Sequence, residues 1–171
     1  MATTYTLISS VTVGSGGSSS IAFSSIPATY TDLCLKVSAR DTTSAVSVIA
    51  YLKFNANSVG YSFKRLRGSG SVADSYGESG AVEINLYNTS VGASATSNTF
   101  SNYEIYIPNY AGSSNKSFSV DSVTENNATE AYAVLFAGLW ANASAITSIS
   151  IVPNTLFVQY STAYLYGISN A

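Results

Sequence analysis

Apolar side chains recur at every second position along most of this chain, the period of strands with one buried face. From Tyr5 the odd positions Tyr5, Leu7, Val11 and Val13 are apolar against mostly Thr and Ser on the even ones, which predicts a half-buried strand. Gly14 to Ser20 (GSGGSSS) supplies turn chemistry, and Ile21 and Phe23 open a short strand that ends near Pro27. Leu33, Leu35, Val37 and Ala39 form the next apolar face, opposite Lys36, Ser38 and Arg40, and Val46, Val48, Ala50, Leu52 and Phe54 form another. Between Asn55 and Gly80 the pattern weakens, with five glycines and short apolar pairs, which predicts a long surface excursion. Alternation resumes at Val82, Ile84 and Leu86, pauses over Gly92 to Asn98, and returns at Tyr103, Ile105 and Ile107 before Pro108 stops it. Phe118 and Val120 begin a strand that turns over Glu125 to Thr129. Ala131 to Trp140 is apolar on both parities, the pattern of a central strand covered on both faces; its alanines also suit a helix, but Gly138 and the neighbouring strands favour strand. Ile146 to Val152, Leu156 to Tyr160 and Ala163 to Ile168 complete about ten strands.

Strands spaced every 10 to 15 residues, with turn signals and no helical period, predict one domain over 1–171: an all-β antiparallel two-sheet sandwich, jelly-roll-like. A Greek-key sandwich of another strand order stays open, since pattern does not fix topology. Leu35, Val37, Leu52, Ile84, Ile105, Val134, Phe136 and Trp140 are the predicted core. The first and last segments are both strand-like and are expected to pair into sheets or be held by a neighbouring chain.

Composition narrows the chemistry. Apolar residues make up 46% of 171 residues, enough for a packed interior, while charged residues are only 9%, against roughly 25% in an average domain. With a formal charge of −2 and polarity supplied by Ser, Thr, Asn and Tyr, self-repulsion is weak and assembly is favoured. Seven Lys and Arg in total are too few for phosphate neutralisation, so nucleic acid is not an expected partner. The start MATTYTLISS lacks an export signal's basic and apolar regions, and no segment reaches the roughly 18 apolar residues of a membrane span, so neither export nor a membrane is expected. Without histidine, Ser-His-Asp and Cys-His arrangements cannot be built, and the commonest zinc ligand is missing. No cofactor, metal or catalytic residue is expected. Among the acids, Asp121, Glu125 and Glu130 lie closest in sequence, but along one extended strand Asp121 and Glu125 would stand about 13 Å apart, beyond the roughly 5 to 9.5 Å of glycoside hydrolysis. Cys34, the single cysteine, reads as an inert, partly buried thiol.

Two groups are candidate interface residues. Lys64, Arg65 and Arg67 place three basic residues within four positions, either as a solvated loop or as a dock for an acidic rim. Tyr103, Tyr106 and Tyr110 surround IYIPNYAG and could form an interface core or a sugar-stacking platform.

From Tyr5 onward the chain resembles a group of small β-sandwich virion structural proteins of tailed bacteriophages, notably those of cyanobacteria. The segments that carry the resemblance are SIPATYTDL (Ser25 to Leu33), EIYIPNYAG (Glu104 to Gly112), NKSFSVDSVTENNAT (Asn115 to Thr129), AGLW (Ala137 to Trp140) and QYSTAYLYGI (Gln159 to Ile168), with 55–98 the least similar. The resemblance implies a non-enzymatic virion component made in the host cytoplasm, with a capsid decoration (cement) protein favoured. That role implies the major capsid protein as partner and a homo-oligomer, a trimer by analogy. The alternative is a tail or head fibre module that recognises host surface glycans.

Overall fold

The computed structural model describes residues 4–126 and 130–169, which form twelve strands in two antiparallel sheets packed as a sandwich. In chain order the strands are β1 (Tyr5–Thr12), β2 (Ile21–Phe23), β3 (Asp32–Ala39), β4 (Ser47–Phe54), β5 (Tyr61–Gly68) and β6 (Ala73–Ala81). They continue with β7 (Ile84–Val91), β8 (Ser101–Ile107), β9 (Lys116–Glu125), β10 (Ala131–Trp140), β11 (Ile149–Pro153) and β12 (Thr162–Ile168). The larger sheet has the order β1-β12-β3-β8-β9-β10-β5-β6, and the smaller β2-β11-β4-β7. The expected sandwich is present. The chain crosses between the layers from β1 to β5, at β7 and at β11, while β5–β6 and β8–β9–β10 stay within the larger sheet, and eight strands against four make the layers unequal.

The core is the interdigitation of the two inner faces. All eight predicted core residues lie in it, Trp140 completely buried. The indole stacks on Tyr61 at 6.2 Å and packs against Phe54 at 5.8 Å. Phe54 in turn meets the Phe118 ring edge-on at 5.5 Å. The Tyr61 hydroxyl accepts from the Phe54 backbone N–H at 2.8 Å, so the phenol is buried without leaving its oxygen unpaired. Gly138 sits directly opposite Phe118 across β9 and β10, and a Cβ there would fall 2.1 Å from the ring. The strand therefore carries glycine where a phenyl ring fills the neighbouring space.

Four expectations are corrected. The region 55–80 is not an irregular excursion: β5 and β6 form a hairpin paired from Tyr61↔Ala81 to Gly68↔Ala73 at the end of the larger sheet. Serine and glycine hid its alternation because an edge strand has less to bury. Residues 156–160 are not a strand; only Phe157 makes isolated bridges, to Ser18 and Asp41. In β1 the odd residues do not share a face, because the register shifts between Leu7 and Ser9. A one-residue bulge exchanges the faces, so Tyr5 and Leu7 point outward while Ile8 and Val11 pack on the core. Finally β10 is central, between β9 and β5, but only one face is covered: Val134, Phe136 and Trp140 are buried while Leu135 is 53% exposed.

The terminal strands hold each other, with β1 antiparallel to β12 from Tyr5↔Ile168 to Thr12↔Thr162. Two buried cations tie loops to this frame. The Arg40 guanidinium donates to the carbonyls of Thr96 (2.8 Å), Ala95 (3.0 Å), Thr99 (3.1 Å) and Ala93 (3.2 Å), and Lys116 Nζ donates to those of Gly112, Ser114 and Ala143.

Candidate functional site

The uncovered face of the larger sheet is where the fold leaves chemistry to spare. Side chains on a sheet line up across strands according to register. Here one outward row crosses all eight strands: Ser10, Tyr164, Lys36, Glu104, Asp121, Leu135, Leu66 and Ser75. At the usual strand spacing it is about 34 Å long. The rows beside it add Val123 and Ala133 on one side, and Tyr106, Ala137 and Lys64 on the other. Leu66 (61% exposed) and Leu135 (53%) are direct cross-strand neighbours, and Val123 lies close by, so the β5 to β10 end is an aliphatic patch. Hollows indent the face. One of about 510 Å³ is lined by Lys36, Asn102, Glu104, Asp121 and Tyr164, and another of about 600 Å³ by Asp121, Ala133, Leu135 and Leu66. Together they make a trough with Asp121 where they meet.

Lys36 Nζ is 2.7 Å from Glu104 Oε2, and this bond raises the lysine pKa. Asp121 stands on the other side of Glu104, a like charge directly opposite it, an arrangement that costs stability in a sheet. Among the described residues the Asp121 carboxylate has no hydrogen-bond or ion-pair partner. Cys34 is on this outer side, between Tyr166 and Tyr106 in register, and is fully buried; burial, then Glu104, pushes the thiol up to about 11. The sequence expectation of an inert thiol fits that environment, with burial complete where partial burial was expected. Among the described residues no group of three or more His, Cys, Asp or Glu side chains is placed to hold a metal ion.

The residues singled out by sequence do not form one surface. Lys64 faces outward, at the edge of the trough. Arg65 and Arg67 lie on the opposite parity of β5 and point to the interior side. Arg65 Nη2 meets Asp74 Oδ1 at 2.9 Å, Arg67 pairs with Asp74 Oδ2, and both arginines donate to Asn88 Oδ1. Their planes cover rings: Arg65 lies 5.8 Å from Tyr76 and 5.6 Å from Tyr87, and Arg67 lies 5.2 Å from Tyr132. Hydrogen bonding to Arg67, then the nearby cationic charge, holds Asp74 below the usual carboxylate range. Glu78 is likewise engaged, accepting from Tyr76 (2.8 Å), Asn85 (2.9 Å) and Tyr87 (3.2 Å). Thus the basic cluster is a strand whose two arginines share one carboxylate, not a solvated loop.

The tyrosines divide similarly. Tyr103 and Tyr110 are buried, the latter with its hydroxyl on the Pro27 carbonyl. Tyr106 alone faces outward, donating to Asp32 Oδ2 at 2.6 Å, which with burial raises the phenol to about 12. Asp121, which sequence grouped with Glu125 and Glu130, is brought instead to Glu104. Sequence reasoning passed over Glu104, Leu135, Leu66 and Tyr164. The outward parity of Glu104 follows from the alternation of its strand, but Leu135 lies in a run apolar on both parities and Leu66 in the weakly patterned 55–80, and their meeting in one row required the strand order.

No protein-family model matches the chain, and no curated protein matches it. Among solved structures, a fructofuranosidase from Schwanniomyces occidentalis complexed with fructose aligns at 11% identity with a TM-score of 0.35, and the same organism's β-fructofuranosidase complexed with fructosyl-erythritol at 10% and 0.32. Each alignment covers 99% of this chain and 35% of the enzyme, so the chain spans about a third of the enzyme's length. A CBM2 module of the evolved Dit of Lactobacillus casei BL23 phage J-1 aligns at 11% identity and a TM-score of 0.18, over 89% of this chain and 69% of the module.

Proposed function

We propose that the chain is a non-enzymatic virion structural protein, a capsid decoration protein that docks on the major capsid shell through the outer face of its eight-stranded sheet. The observation that carries this reading is the aliphatic patch at the β9 to β5 end of the trough, where Leu66, Leu135 and Val123 are exposed side by side. Monomeric proteins rarely leave large contiguous apolar patches to water, and such patches mark contact surfaces. The resemblance of five ordered segments to tailed-phage virion proteins supports the same class. Stable contacts usually bury about 1,200 to 2,000 Å², and copies repeated over a symmetric shell gain by multivalency. A homotrimer on the shell is the assembly that decoration proteins suggest.

The test is location and stoichiometry. Imaging of the virion should place this chain on the capsid at a copy number in simple proportion to the major capsid protein, and shells lacking it should lose resistance to heat or osmotic shock. A few copies at the tail or a vertex, with binding to host glycans, would replace this reading with that of a fibre module.

A further inference from the structure

The trough also specifies what sort of partner it fits. Its described outer face carries Lys36 and Lys64 against Asp32, Glu104, Asp121 and Glu125, and Lys36 is already committed to Glu104. Asp121 is the unneutralised charge at the centre. It faces a carboxylate on one side and Leu135 on the other. A cation placed over it would remove the like-charge penalty with Glu104 and gain a charge-assisted hydrogen bond. An anionic partner would meet repulsion at the same spot.

On the β9, β10 and β5 side of Asp121 the lining is aliphatic, while the outward tyrosines Tyr106, Tyr164 and Tyr166 lie on β8 and β12. Leu135, Leu66, Ala133 and Val123 match protein side chains, whereas a sugar-binding trough would present aromatic faces beside its carboxylates. Tyr164, 40% exposed, is the aromatic ring of the central row, and it stands three strands away from Asp121.

We infer that the trough takes a segment of a protein partner presenting one guanidinium or ammonium group, seated over Asp121 between Glu104 and Leu135, with an apolar side chain beside it on Leu135 and Leu66. This rests on the outer face being the docking face. It reverses the polarity expected from sequence: the dock accepts a basic group from the partner, and the chain's own arginines stay inside.

The test uses the full chain and two short probes, N-acetyl-Leu-Arg-Leu amide and its Gln analogue, followed by amide chemical shifts. The arginine probe should shift the Glu104, Asp121 and Leu135 amides saturably and bind about tenfold tighter than the glutamine probe. Asp121→Asn should abolish that difference while keeping the melting temperature equal or slightly higher, since it removes a like-charge contact. Equal binding of the two probes, shifts outside the trough, or occupation of the trough by maltohexaose in preference to the arginine probe would overturn the inference. Shell binding separates it from the docking reading. Attachment that survives Asp121→Asn but is lost with Leu135→Asp overturns the basic-group inference and keeps the docking face. Attachment indifferent to both variants overturns the two together.

Discussion

Trp140 shows how a single residue anchors this sandwich, since its indole bridges β5 and β4 through Tyr61 and Phe54. Truncation to Ala leaves a void in a packed aromatic cluster, and Trp140→Ala should cost about 3 to 5 kcal/mol in denaturant unfolding. Titration adds a second residue-scale prediction. Tyr106 and Cys34 both have folded pKa values raised, to about 12 and about 11, from ordinary values of 10.0 and 9.0. Groups raised on folding contribute stability that is fully present below their unfolded pKa and is lost as pH rises through the folded one. Stability should therefore be flat to about pH 9 and decline between there and pH 12, less steeply in Tyr106→Phe. Asp74 runs the other way: its lowered pKa contributes stability above the ordinary carboxylate value of 3.8, lost as pH falls below it. Unfolding midpoints measured across pH for wild type, Tyr106→Phe and Asp74→Asn check both limbs. Thiol reagents should modify Cys34 in the native protein only at the rate of opening, because the sulfur is buried as well as protonated.

Between neighbouring strands, complementarity of glycine and ring carries weight. Gly138 makes room for Phe118, and a methyl group there would sit within the ring's own volume. Gly138→Ala should destabilise by about 1 to 3 kcal/mol through overpacking, and Phe118→Leu in the same chain should recover part of that loss, as a double-mutant cycle on unfolding free energies would show. The β5 to β6 hairpin behaves as a unit because Asp74 clamps two arginines of its partner strand. Reversing the charges at 64, 65 and 67 together would break this clamp, and so would report on stability before it reported on docking. Lys64→Glu alone is the variant that isolates the exposed charge, and it should leave the unfolding midpoint nearly unchanged.

At the scale of the molecule, the proposed dock is the outer face of the eight-stranded sheet. If the trough is the dock, Leu135→Asp should abolish sedimentation with shells while leaving stability within about 0.5 kcal/mol, as expected of an exposed side chain. Because aliphatic contacts dominate, raising NaCl to molar concentrations should weaken attachment only modestly, and a cosedimentation titration would read this directly. Release at moderate salt would show that ionic contacts dominate instead.

Much of this architecture was legible in the order of apolar and polar residues. Alternation in β3, β4, β8 and β9 assigns those strands, and parity picks out Leu35, Leu52 and Ile105 as buried, because the pleat ties face to position within any one strand. The same rule breaks at a bulge, which separates Tyr5 and Leu7 from Val11, and it says nothing of how many faces are covered, so Leu135 is exposed in a run that is apolar on both parities. Edge strands such as β6 bury too little to leave a strong pattern. The proposed dock is least visible: Glu104 and Asp121 are 17 positions apart and Leu66 lies on a strand far from both in sequence, yet one row joins them. Sequence by itself determined the class of the fold and, in regular strands with one apolar parity, which side chains face inward, since both follow from the local period and the hydrophobic effect. Strand order and register, set by long-range pairing that no local pattern encodes, decided which outward residues became neighbours, that two arginines would share one carboxylate on the inner side, and that an acid would be left without a counter-charge at the centre of the open face.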